Sequence, residues 1–186
     1  MIHSPSNRSV ISHQAIPPIY IGRLSSSPIG TLWVAVSDLG LAAVEWSMSQ
    51  ADFSQLVGKR FHTEIVYDES RTQDALSQLS DYLAGSRRQF TLPLDLTGRS
   101  NFQQQVLHLT TQIPYGQTST YKEIASLSGR PHAARAVGRV EATNPIPLVI
   151  PCHRVLGSDG LLHGYGGPGG IKLKAWLLKL EESSVK

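Results

Sequence analysis

Residues 120–142 read TYKEIASLSGRPHAARAVGRVEA, two short helical runs divided by a glycine. Thr120 and Glu123 stand at capping-box spacing, in which the hydroxyl accepts from an orphan amide and the carboxylate reaches back to the cap N–H. The spacing predicts a helix over Tyr121 to Ser128, stopped by Gly129, because glycine takes the left-handed conformation that ends helices at little steric cost. Pro131 suits the first turn of a second helix, where its missing N–H would be unpaired anyway. That helix is expected from about His132 to Ala142, ahead of Asn144-Pro145. Two short helices on a tight glycine turn make a helix-turn-helix.

The second helix has a thin surface, with Ala133, Ala134, Ala136 and Gly138 around one long cation, Arg135. Small residues let a backbone lie close to a narrow groove, and a single long side chain can enter a base stack. Equally, Ala and Gly can pack against the preceding helix. From these residues alone both readings stand.

Working outward, Phe102, Val106, Leu109 and Ile113 mark a further helix ended by Pro114-Tyr115-Gly116. The first half of the chain has a different texture. Leu32 to Val36 and Leu41 to Trp46 read as strands joined by a hairpin turn at Ser37-Asp38-Leu39-Gly40. Phe53 to Phe61 suggests a helix, Glu64 to Tyr67 a strand, and Ala75 to Leu83 a helix with Gly85 as its stop. Phe90 to Leu96 alternates weakly and is expected as a returning strand. The reading is therefore an α/β unit over 19–97, a mostly helical unit over 98–186, and a loose tail over 1–18.

Bulk properties exclude several classes. The 186 residues are 40% hydrophobic and 17% charged, which fits a globular protein. No apolar run is long enough to span a bilayer. Met1 to Pro18 lacks an apolar core and cleavage site for export, so a cytoplasmic location is expected. One cysteine can make neither an intramolecular disulfide nor a cysteine-rich zinc site. Residues 1–90 hold seven Lys/Arg against eight Asp/Glu, and residues 91–186 hold ten against six. The basic excess in the second half fits a polyanion partner, or a merely solvated surface.

That single cysteine sits in Pro151-Cys152-His153-Arg154-Val155, reached through Asn144-Pro145-Ile146-Pro147-Leu148-Val149-Ile150. A thiolate is the softest nucleophile among side chains, and an adjacent imidazole can take its proton. Two prolines and an apolar run would hold it rigidly in a partly dry pocket. A lone cysteine is more often a small buried hydrophobe.

Taken together, these residues resemble the O6-alkylguanine-DNA alkyltransferases, also called methylated-DNA–protein-cysteine methyltransferases. The resemblance rests on the Pro-Cys-His-Arg-Val motif at 151–155. Supporting it in order are Ile113 to Gly116, Ala134 to Gly138, Asn144-Pro145, Gly164-Tyr165, Trp176 to Leu178 and Glu181. It is weaker over Ser27 to Leu96, where Ser27 to Leu32 looks like the first strand of the family's ribonuclease-H-like domain. The resemblance implies that Cys152 accepts the alkyl group irreversibly, once per molecule, from O6-alkylguanine and also O4-alkylthymine. It implies that His153 deprotonates the thiol through water, that Glu181 polarises His153, and that Tyr121 donates toward the departing guanine. Arg135 would fill the gap left by a flipped nucleotide, with Ala133, Ala134, Gly138, Tyr121, Arg130 and Arg139 against double-stranded DNA. That contact is expected in the minor groove, without strong sequence preference and without cofactor or metal. The protein is expected as a monomer, with room for cooperative binding on DNA. Asn144 would be the hinge before the active-site strand, and Val155, Tyr165, Gly166 and Pro147 would line the base pocket. Flipping is required because a fixed cysteine cannot reach a stacked O6. Lys172 and Lys174 join the arginines as expected phosphate contacts.

The chain departs from the family in three places. The loop Gly164 to Gly170 is about two residues longer than the commoner form, Leu107 stands where many relatives have Trp, and no cysteine-based zinc site can form. The alternatives are a lesion-binding relative that transfers nothing and a helix-turn-helix regulator with a redox thiol. Cys152 argues against the first, and a second helix poor in base-reading side chains against the other.

Overall fold

The computed structural model describes residues 16–166 and 168–183, so the expected tail falls outside the described residues except for 16–18, as does Gly167. Strands β1 (Ile19–Leu24), β2 (Leu32–Ser37), β3 (Gly40–Trp46) and β4 (Ile65–Tyr67) form one sheet in the order β3-β2-β1-β4. The neighbours β1–β2 and β2–β3 are antiparallel, and β1–β4 is parallel. Helices α1 (Gln50–Phe61) and α2 (Glu69–Leu83) cover the sheet.

Strand alternation explains the layering. Ile19, Ile21, Trp33 and Ala35 pack with Phe53 and Val57 of α1. Leu32, Val34 and Val44 pack with Ala75, Leu79 and Tyr82 of α2, and that layer continues into the second unit. Side chains two apart share a face, so a four-stranded sheet can serve two cores at once.

The second unit holds α3 (Asn101–Thr111), β5 (Ser119–Thr120), α4 (Tyr121–Leu127), α5 (Ala134–Ala142), a 3₁₀ turn (Cys152–Arg154), β6 (Val155–Leu156) and α6 (Gly170–Ser183). Thr120 and Glu123 form the expected capping box, and Ser100 and Gln103 form another at α3. Helices α4 and α5 are the helix-turn-helix, with Gly129 left-handed between them. Val106, Ile124, Val137, Ile146 and Leu177 join the α2 layer in one continuous core.

Three expectations need correction. Ser27 to Leu32 is a turn closed by Gly30 N–H to Ser27 C=O at 3.0 Å, with only Leu32 in a strand. The first strand is Ile19–Leu24, at the start of the unit expected over 19–97, where the sequence reading places no element. Phe90 to Leu96 forms no strand, only an isolated bridge between Leu94 and Leu41, because Pro93 has no N–H to donate to a ladder. Helix α5 begins at Ala134, not His132. Pro131 instead sits inside a turn closed by Ala133 N–H to Arg130 C=O at 2.8 Å, where proline's fixed φ also fits.

Candidate active site

The segment before Cys152 is held from several sides. Asn144 Nδ2 donates to Ile150 C=O at 2.8 Å, while Asn144 Oδ1 accepts from Ile146 N–H at 3.0 Å. Val44 N–H of β3 donates to Pro145 C=O at 2.9 Å, tying the segment to the sheet. Leu148 is fully buried with φ at 74°, a conformation that costs a side-chain-bearing residue on the order of 1 kcal/mol. Packing on all sides holds it there. The result is a stiff arm ending on the 3₁₀ turn that carries Cys152, His153 and Arg154.

Cys152 is buried, and burial followed by the nearby Glu141 charge pushes its thiol up to about 12. Asn144 and Lys174 pull the other way. At rest the sulfur is therefore a thiol, not a thiolate.

Behind it lies a closed polar knot. His153 Nε2 is 2.8 Å from Glu181 Oε1, and Tyr82 O–H donates to the same oxygen at 2.6 Å. Arg154 Nε donates to Glu181 Oε2 at 2.9 Å and Nη2 to Oε1 at 2.9 Å, while Gly116 N–H donates to Oε2 at 3.0 Å. Arg154 Nη1 donates to Ile113 C=O at 2.6 Å. Burial by itself would raise Glu181, but His153 and Arg154 outweigh it and bring the carboxylate down to about 2. Burial holds His153 below its ordinary range, so its ring is neutral. A neutral ring facing an ionised carboxylate through Nε2 carries its proton there. Nδ1 is then the basic nitrogen, and it has no partner among the described residues.

On its other side Cys152 faces open space. A cavity of about 230 Å³ is lined by Cys152, Tyr121, Gly138, Glu141, Tyr165 and Gly166 among others. A second cavity of about 490 Å³ reaches toward β3 and α1, sharing Cys152, Glu141, Tyr165 and Gly166 and adding Asn144 and Pro147. The smaller volume suits one flat ring system better than an extended ligand. Gly166 is required, since a Cβ there would collide with the Ala142 carbonyl. Gly138 is not, because a Cβ would meet only the Tyr121 ring at 3.8 Å. Its smallness keeps the cavity mouth open.

Other expected site residues fall as follows. Tyr121 is half-buried, with its hydroxyl donating to His163 C=O at 3.2 Å. Arg135 and Arg139 are exposed on α5, Ala133 caps that helix, and Ala134 is half-buried in its first turn. Arg130 is exposed and stacks over Phe102 at 4.7 Å. Val155 is fully buried and lines neither cavity. Lys172 is exposed, but Lys174 is only 1% exposed and donates to Val155 C=O at 2.6 Å, so it cannot hold a phosphate at the surface.

Comparison with known proteins follows the same division. Residues 20–96 match the ribonuclease-like domain of 6-O-methylguanine DNA methyltransferase, and residues 101–183 match its DNA-binding domain. A methylated-DNA–protein-cysteine methyltransferase of Methanosarcina barkeri is 40% identical over 86% of this chain and 96% of its own length. The chain belongs to the 6-O-methylguanine DNA methyltransferase family. A Salmonella typhimurium methylated-DNA–protein-cysteine methyltransferase is 38% identical over 84% of the chain and 92% of its own length. The crystal structure of Mycobacterium tuberculosis OGT in complex with DNA superposes with a TM-score of 0.74 at 39% identity, covering 90% and 94% of the two chains. The sheet unit is thus the family's ribonuclease-like domain, and the helical unit its DNA-binding domain.

Reading the sequence missed Tyr82, Arg154 and Glu141 as site residues. Tyr82 was legible only as one member of an apolar helical row. Glu141 left a signal: it lies four residues after Val137, on the buried stripe of α5, where a carboxylate is out of place.

Proposed function

We propose that this protein is a single-turnover DNA alkyltransferase that repairs O6-alkylguanine by moving the alkyl group onto Cys152. The observation that carries the reading is Cys152 on the wall of a base-sized cavity, backed by the His153–Glu181 pair. His153 Nδ1 accepts the thiol proton through water. The sulfur lone pair attacks the alkyl carbon, the S–C bond forms and the C–O6 bond breaks. The guanine takes up one proton, with the Tyr121 O–H offsetting its developing charge. A thiol held at about 12 gives a strongly nucleophilic thiolate once formed.

Duplex DNA lies along the α5 side in this reading, met at the minor groove by the small residues Ala133, Ala134 and Gly138. Arg135 occupies the vacated stack, and Arg130 and Arg139 meet phosphates without reading sequence. The protein acts as a monomer in the cytoplasm, on the nucleoid if the cell is prokaryotic.

Intact-protein mass after mixing with excess O6-methylguanine duplex tests the chemistry. One methyl mass on the Cys152 peptide is expected; repeated turnover or another site of methylation overturns it. Arg135→Ala tests flipping. It should slow repair of duplex far more than reaction with free O6-benzylguanine, and equal slowing withdraws the finger role.

A further inference from the structure

Glu141 of α5 is 4% exposed and lines both cavities beside Cys152, yet the reaction described above does not use it. Thr110 O–H of α3 donates to its Oε1 at 2.6 Å, and its Oε2 is buried with no partner among the described residues. Three titratable groups act on it or feel it from other elements: Lys174 of α6, Cys152 on the 3₁₀ turn, and Tyr121 of α4. Cys152 is itself faced by Tyr165, and Lys174 also acts on His153. Among these groups Lys174 is the only ammonium. It is fixed by its bond to Val155 C=O, with Nζ 5.8 Å from the centre of the Tyr121 ring.

One buried cation thus faces two acids that can each become an anion. Two buried negative charges against one positive charge leave a net charge in a dry site, which burial strongly disfavours. We infer that Glu141 is a positioning residue for alkyl transfer, competing with the Cys152 thiolate for Lys174, so that the thiolate forms readily only while Glu141 holds its proton. Burial raises Glu141 to about 7, which puts this competition in the physiological range. Below that pH the neutral carboxyl leaves Lys174 to the sulfur. Above it, the carboxylate takes Lys174 and opposes ionisation of the thiol. The two sites titrate as a coupled pair.

The inference rests on Cys152 as the reacting group but not on alkyl transfer from DNA, so its test uses an uncharged thiol reagent. Iodoacetamide modification of the intact protein is followed by mass from pH 5.5 to 8.5, in wild type and E141Q. The amide keeps an acceptor for Thr110 and removes the charge. The two proteins should react alike near pH 5.5, with E141Q ahead by roughly threefold or more at pH 8.5, since each unit of thiol pKa is worth about tenfold in thiolate. The double variant E141Q/K174M should lose that gain. A ratio constant across pH, or largest at low pH, overturns the inference. Should E141Q fail to fold, the infrared carbonyl band of a protonated carboxyl is followed in wild type instead. Loss of one such band between pH 6 and 8.5 in wild type, moved to higher pH in K174M, is expected; no band lost in that range, or the same midpoint with and without Lys174, overturns the inference.

Discussion

Two carboxylates are buried within the same helical unit, and they hold their charge very differently. Glu181 accepts from Tyr82, Arg154, the Gly116 amide and His153, and lies at about 2. Among the described residues Glu141 accepts from Thr110 alone, and it lies at about 7. Burial opposes ionisation in both. The donors around each group, at Glu181 His153 and then Arg154, decide the outcome. One carboxylate therefore serves as a permanent charge that orients His153, and the other as a proton-bearing group whose charge is conditional.

The largest effect should come from breaking the first. Glu181→Gln leaves Arg154 buried without its counter-charge, and an orphaned buried ion costs about 3–5 kcal/mol. Urea unfolding at pH 7 should show that loss, and alkyl transfer should fall further than DNA affinity. A loss under about 1 kcal/mol would mean that Arg154 finds solvent, and the knot is not closed.

The pH dependence of stability sharpens the comparison, because the signs are opposite. Glu181 is lowered, so its contribution is present above its ordinary value near 4.5 and lost as pH falls toward 2. Glu141 is raised, so its contribution is present below 4.5 and lost as pH rises through about 7. The stability of Glu141→Gln relative to wild type should therefore increase from pH 5 to pH 8.5, by at most about 3 kcal/mol. Chemical denaturation at the two pH values measures it. A difference independent of pH would show that Glu141 is ionised throughout.

Tyr82→Phe removes one of several donors to Glu181 and one link between the two units. A loss of about 1–2 kcal/mol is expected, with alkyl transfer slowed because His153 loses part of its frame. Rate loss without any stability loss would place the hydroxyl in the reaction itself. The smallest effect belongs to Thr110→Val, which takes from Glu141 its one side-chain donor among the described residues. Glu141 should become harder to ionise, at a cost of about 1 kcal/mol, and the wild-type bend in the iodoacetamide profile should move to higher pH.

Much of the scaffold was legible along the chain. The hairpin of β2 and β3, the capping box at Thr120 and Glu123 and the helix-turn-helix are set by neighbours within a few residues. Local propensity and capping suffice for such features. Misreadings occurred where local signals competed. Pro131 fits both a helix start and a turn, and Pro93 interrupts an alternation that otherwise reads as a strand over Phe90 to Leu96. Cys152 and His153 were legible because the motif is contiguous, and Glu181 only through the resemblance.

What the sequence alone determined is the identity of the chemistry-bearing residues and the local elements that carry them. Which of them are charged was decided by tertiary structure. Tyr82 and Glu181 are separated by 99 residues, and Thr110 and Glu141 by 31. No local pattern states how many donors will meet a carboxylate, or whether a lysine such as Lys174 ends at the surface or under a tyrosine ring. Ionisation depends on desolvation and on the groups that packing brings within a few ångströms. That information exists only once the chain has folded.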